Sequence, residues 1–407
     1  IKIRSYRFEY GYRYGSGELD KKEHKILGIQ KLDNSDNPTW GISFENLAPG
    51  RIYELSFKVK SASGLEMKSP FVQYTVQRLR RPSSDYPATI SKSERGLEVS
   101  LGGKPFATYD NTSSNKPIIW QVTGPNGQKM LRDWPLKEDT PGEAHDHIHH
   151  QGIFIGHERI SGANFWHIDR PNSGTIEQRR LIETRSGKDR ALIKTLNAWK
   201  NKQGENLAAD TRTLSFFGDS NSRTIDLEFY LHATNGPVQI DAFKDGVFAI
   251  RTHTDLRLKA SPKDGVNQVF GHALNSAGDQ AKAVWGKRAD WVHYFGTVDG
   301  KPAGIAFLSH PTNPSKGNQK SWWHARDYGL ISANPFAPEK IKGDGGRTIP
   351  KGESLGFRYQ IIFHAFDNHE DAKIEERFAQ YARTPPHPTS IMPPHPGYPE
   401  DYLAKKK

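Results

Sequence analysis

Residues 143–158 run Glu143-Ala-His145-Asp146-His147-Ile148-His149-His150-Gln151-Gly152-Ile-Phe-Ile-Gly156-His157-Glu158 and hold five of the chain's 17 histidines. Imidazoles pass protons near neutral pH or hold a metal, and neighbouring carboxylates orient them. Asp146, His147, His150, His157 and Glu158 are therefore candidates for acid–base work. On an extended backbone His145, His147 and His149 would share one face, about 6–7 Å apart, and could ligate a divalent transition metal. Asn164-Phe165-Trp166-His167 follows closely.

A second cluster lies far downstream: Lys320-Ser-Trp322-Trp323-His324-Ala-Arg326-Asp327-Tyr328-Gly329, then Asn334-Pro335-Phe336. Flat aromatic faces pack against the C–H side of a sugar, while charged and amide groups take its hydroxyls or an anionic substituent. Trp166, Trp323, Arg326, Tyr328 and Asn334 are candidate substrate contacts, and His324 and Asp327 candidate catalytic groups. Lys244-Asp245-Gly246 through Arg251 is a third stretch, with Arg251 a further substrate candidate.

The elements that must position these residues read as strands. In residues 1–80 aromatic side chains alternate from Tyr6 to Tyr14, and Tyr53, Leu55 and Phe57 interleave with polar residues, which is strand spacing. Leu47-Ala-Pro49-Gly50-Arg-Ile-Tyr53 resembles the fibronectin type III pattern, a loop leading into a strand with a corner tyrosine. Trp40 reads as core. Residues 81–87 are polar and Pro-bracketed, a linker.

From 88 to 384 short strands separated by Gly, Asn and Asp turns predominate. They include 96–101, 117–122, 224–231, 304–309 and 355–363. That density predicts a large antiparallel β-sandwich. One helix is expected over 370–383, from Ile374, Phe378 and Tyr381. The tail 385–407 is Pro-rich and extended. The fold class is all-β: a large sandwich preceded by a small Ig/fibronectin III-like one.

Composition narrows the function. No run approaches the length of apolar chain that a membrane span requires. Lys and Arg outnumber Asp and Glu 57 to 46, which suits an anionic partner. No nucleic-acid fold signature accompanies that charge, and no nucleotide-loop or nucleophile-elbow motif occurs. With no cysteine, thiolate chemistry is excluded. The first residue is Ile1, and loss of a secretory signal is the simplest reading, so a secreted or periplasmic protein is expected.

Ordered motifs from about 95 to 383 resemble the bacterial family labelled "methane oxygenase PmoA". They are Asp146-His147-Ile-His149-His150-Gln151-Gly152, Gly162-Ala-Asn-Phe165-Trp166, Asn235-Gly236-Pro237, Lys244-Asp245-Gly246 and Trp285-Gly286. Asn275-Ser276, His310-Pro311-Thr-Asn313-Pro314, Trp323 through Gly329 and Asn334-Pro335-Phe336 complete the set. The chain departs from the pattern at Gln151, where a basic residue is expected. The resemblance implies a β-sandwich acting on carbohydrate, not a membrane monooxygenase.

Three readings follow. The favoured one is a carbohydrate-active enzyme without a cofactor that cleaves glycosidic bonds of an anionic oligosaccharide or polysaccharide, uronate-containing or sulfated, by hydrolysis rather than elimination. The alternatives are a metal-dependent hydrolase or oxygenase using the His cluster, and a non-catalytic glycan-binding protein. Oligomeric state is left open.

Overall fold

A computed structural model describes residues 1–7, 17–31, 40–46, 48, 51–58, 64, 71–76 and 86–384. The chain divides into two compact units, Ile1–Pro82 and Ser83–Lys407. The tyrosine alternation beyond Arg7, most of the linker and the tail from 385 lie outside the described residues, as does the side chain of Trp40.

In the first unit the strands Leu19–His24, Lys2–Arg7, Arg51–Ser56 and Phe71–Val76 form one antiparallel sheet, and Ile26–Lys31 pairs with Trp40–Phe44. Ile3, Tyr53 and Leu55 make its core. The backbone N–H of Ala48 donates to the Tyr53 hydroxyl at 2.8 Å, so this tyrosine ties the preceding loop to its own strand.

The second unit packs two eight-stranded antiparallel sheets face to face. The first, which carries the site, runs Trp323–Ala325, Leu330–Ala333, Gly246–Arg251, Ile153–His157, Ile118–Trp120, Lys104–Asp110, Gly96–Leu101, Ala88–Ser93. The other, the back sheet, runs Thr175–Arg185, Ala191–Lys200, Asn206–Gly218, Ser222–His232, Ser354–His364, Lys301–Ser309, Trp291–Val298, His272–Asn275. Alternation explains the join. Leu97, Val99 and Leu101, and Ile153 and Ile155, face Ile225, Leu227, Phe229 and Leu231 in one core.

The expected helix is shorter than its sequence pattern: a 3-10 turn over His369–Ala372 precedes an α-helix from Ile374 to Tyr381. Asn368 accepts the N–H of Glu370 and caps the turn rather than the helix. Ile374, Phe378 and Tyr381 pack with Trp291, Ala306, Leu308 and Ile362 on the outer face of the back sheet.

Candidate functional site

The site lies on the face of the first sheet turned away from the back sheet. Strand parity dictates what reaches it: with Ile153 and Ile155 in the core, Phe154 and Glu158 project outward. Across five strands His324, Ser332, Ala249, Phe154 and Ile118 are successive cross-strand partners. All five are buried, and Ala249, Phe154 and Ile118 pack with Trp166, Leu330 and Tyr328 in a small apolar cluster; the polar groups bordering this row at its two ends make up the candidate site, the trough. Gly156 admits the loop after 160: a Cβ there would stand 2.3 Å from the Phe165 carbonyl oxygen.

The 143–150 segment is not a strand, because a buried guanidinium organises it. Arg132 donates to the carbonyls of Ala144 and Asp146 at 2.9 and 2.8 Å, and to those of His147 and His150 at 3.1 Å each. The loop turns at His147, whose φ is +48°, and the His150 N–H donates to the His147 carbonyl. This turn replaces the expected alternation. It brings His147, His149 and His150 together and sends His145 away to stack on Trp134, 5.1 Å between centroids.

Asp146 anchors this end. Its Oδ1 accepts from Arg132 at 2.5 Å and Arg251 at 2.6 Å, and its Oδ2 lies 3.2 Å from His147 Nδ1. Burial pushes this carboxyl up, but the His147 hydrogen bond and the charges of Arg251 and Arg132 reverse that and hold it well below the usual range. His147 is 39% exposed, with its ring stacked on Tyr328 (4.7 Å) and His150 (4.8 Å). Arg251 donates to His150 Nδ1 at 3.2 Å, so burial and this charge keep His150 neutral. Burial pulls Arg251 itself down to about 9, still a cation at neutral pH. His149 meets His167 at 4.2 Å and is likewise held neutral, by burial first.

The other end of the trough holds a carboxyl pair. Glu158 hydrogen-bonds Asp245, and burial followed by the Asp245 charge pushes it up to about 7. Asp245 is buried, yet His324, Lys244 (2.8 Å) and the Glu158 hydrogen bond keep it ionised. His324 Nδ1 lies 3.9 Å from Asp245 and has no hydrogen-bond partner; burial takes this imidazole down to about 4. The Asp245 charge also acts on His149, His167 and Tyr328, linking the two ends electrostatically.

The structure thus joins Asp146, His147, His150, Arg251, Arg326 and Tyr328, with Glu158 and His324 beside Asp245. Several expectations are corrected. His157 has the parity of Ile153 and Ile155 and packs on Phe336 in the core, so it does not reach the trough. Trp323 faces the core and donates to the Ala289 carbonyl. Trp166 is buried under His149 and His150 as packing, not a sugar platform. Arg251 is consumed by Asp146, His150 and Tyr328. Asn334 is buried, bonded to Phe243 and Phe336. Asp327 sits in the Arg326–Gly329 turn, where its charge acts on core-facing Tyr294 rather than on the imidazoles. His145, His147 and His149 do not converge, and among the described residues no group of three or more His, Asp or Glu side chains is placed to share a cation.

Arg132 and Trp285 received no role from sequence. Arg132 carries no local signal, since its partners are backbone carbonyls brought in by the fold. Asp245 was visible only as the centre of Lys-Asp-Gly, which reads first as a turn.

Residues 96–379 match DUF6807, described as a family of unknown function; the match spans more than half of the chain, which belongs to this family. No curated protein matches it. Similar solved structures include a galactose mutarotase-like protein from Clostridium acetobutylicum, 10% identical over 69% of this chain and 99% of that one, TM-score 0.38. A putative aldose 1-epimerase from Escherichia coli K12 is 12% identical over 69% and 100%, TM-score 0.28. A heparan sulfate lyase from Pedobacter heparinus is 8% identical over 70% and 36%, TM-score 0.30.

Proposed function

We propose that the trough is the active site of a carbohydrate-active enzyme that cleaves a glycosidic bond by acid–base catalysis, with Glu158 as acid and His147 as base. The observation that carries this is a pair of carboxyls pushed in opposite directions: Glu158 keeps a proton near neutral pH, while Asp146 stays ionised and orients an exposed imidazole. With Nδ1–H donated to Asp146, His147 presents Nε2 as a proton acceptor. The resemblance described from sequence implies the same substrate class, and Trp285 supplies an exposed aromatic ring beside Arg326.

For hydrolysis, His147 Nε2 takes a proton from water as the water oxygen bonds to the anomeric carbon. The bond from that carbon to the leaving oxygen breaks, and Glu158 gives its proton to that oxygen. Glu158 and Asp245 are in direct hydrogen bond, closer than the about 5–9 Å that separates the carboxyls of two-carboxylate glycosidases, so an imidazole takes the second role. Elimination is a second reading, favoured by Arg326, which could neutralise a uronate carboxylate while the same base removes the adjacent proton.

The test is a screen on neutral, uronate and sulfated oligosaccharides with product mass spectrometry. Summed product masses greater than substrate by one water establish hydrolysis; no gain establishes elimination. Glu158→Gln should lower turnover about 10²–10⁴-fold with the fold intact. Unchanged turnover would remove Glu158 from the mechanism.

A further inference from the structure

Trp285 stands beside the trough, 37% exposed. It follows the 3-10 turn Ala281–Val284, and its indole rests edge-to-face on Trp322 (6.1 Å) and His324 (6.4 Å). Both supporting rings are buried, so the platform has a fixed base. A solvent-facing indole on such a base offers a flat, fixed surface that suits the C–H face of a sugar.

Arg326 bridges this platform and the catalytic end. Its guanidinium lies 5.8 Å from the Trp285 ring and 5.2 Å from the Tyr328 ring. Among the described residues no side-chain hydrogen bond or ion pair occupies it. A half-buried planar fork of five donors between two aromatic rings lacks only an acceptor, and a carboxylate or sulfate presents the matching oxygens.

Beyond Trp285 the chain enters a cleft of about 540 Å³, lined by Gly286, Lys287, Arg288, Lys316 and Lys342 against Glu339 and Asp344. Three of its cations are paired: Arg288 with Asp344 at 2.5 Å, Lys316 with Glu339 at 2.9 Å and Lys287 with Asp279 at 3.5 Å. Lys342 leaves the cleft with surplus positive charge. Its volume is in the range of small-ligand sites. Trp285 and Gly286 make the platform and this cleft adjacent along the chain.

We infer that Trp285 and Arg326 form a specificity subsite for an acidic sugar unit, continued by the basic cleft, so that the substrate is an anionic oligosaccharide rather than a neutral or single sugar. This rests on the acid–base reading of the trough for its place beside the chemistry. Trp285 packs the ring of the unit, Arg326 pairs with its anionic group, and Lys342 meets the next charge along the chain. A carboxylate and a sulfate ester share this chemistry.

Binding is measured by calorimetry on full-length Glu158→Gln protein, which separates recognition from turnover. The probes are a galacturonate hexamer, a carrageenan hexamer carrying sulfate alone, and cellohexaose. At least one acidic probe should bind about tenfold or more tighter than cellohexaose, and the preference between them identifies the anionic group. Adding Arg326→Gln should remove that advantage while leaving cellohexaose binding unchanged. Adding Trp285→Ala should weaken all three probes, with melting temperature unchanged in each variant. Equal binding of acidic and neutral probes, no binding of any probe, or acidic binding insensitive to Arg326→Gln would overturn the inference. If the selectivity holds but Glu158→Gln turns over normally, the acid–base reading fails and the subsite stands. Loss of selectivity alongside Glu158-dependent turnover removes the subsite alone.

Discussion

Asp146 and Glu158 are carboxyls at opposite ends of one trough, and their surroundings drive them apart. Both are partly buried, and burial alone would push both up. Asp146 meets two buried guanidiniums and an imidazole, and stays a carboxylate. Glu158 meets another carboxylate, Asp245, and keeps its proton to about pH 7. Burial raises both groups, and their charge neighbours set them apart: one group orients a base and the other is an acid.

The largest break in this comparison comes from Asp146→Asn. It leaves Arg132 and Arg251, each 1% exposed, without their shared anion and His147 without its orienting partner. Unfolding by urea should show a loss of about 3–5 kcal/mol, with turnover falling as well. Native stability would mean that these cations do not depend on Asp146.

Asp245→Asn sharpens the comparison at the other end. Without that charge Glu158 falls toward its ordinary range and loses its proton at lower pH. The alkaline limb of the kcat profile, which lies near pH 7 when Glu158 must be protonated, should move to lower pH. An unmoved limb would detach the limb from this carboxyl pair.

The smallest effect is expected at His145, which stacks on Trp134 outside the imidazole cluster. His145→Ala should leave turnover at the wild-type rate and change stability by no more than about 0.5 kcal/mol. A large loss of turnover would return His145 to the site.

The strands were legible because alternation survives into the fold: Leu97, Val99 and Leu101 face the core as their spacing requires. The meeting of the two segments was legible only from residue types, and His147 on Tyr328 realises it. Within each segment the faces were misjudged where the backbone departs from a strand. His147 at φ +48° breaks the alternation that would have grouped it with His145. Trp323 and His324 are adjacent yet opposed, because consecutive strand residues point to opposite sides and composition alone does not say which side is the core. Arg132 was invisible, since a guanidinium that organises a loop through carbonyls leaves no motif behind. The fall of Trp166 and Asn334 into packing has the same origin: both match what a sugar site uses and also what a β-sandwich buries.

The most direct measurement is a carbon-13 NMR titration of protein labelled at glutamate side-chain carboxyls, with Glu158→Gln used to assign the resonance. A carboxyl titrating at about pH 7 and missing from Glu158→Gln is the expected result. Titration of the Glu158 resonance near the ordinary glutamate value of about 4.3 would contradict it, and with it the assignment of the acid.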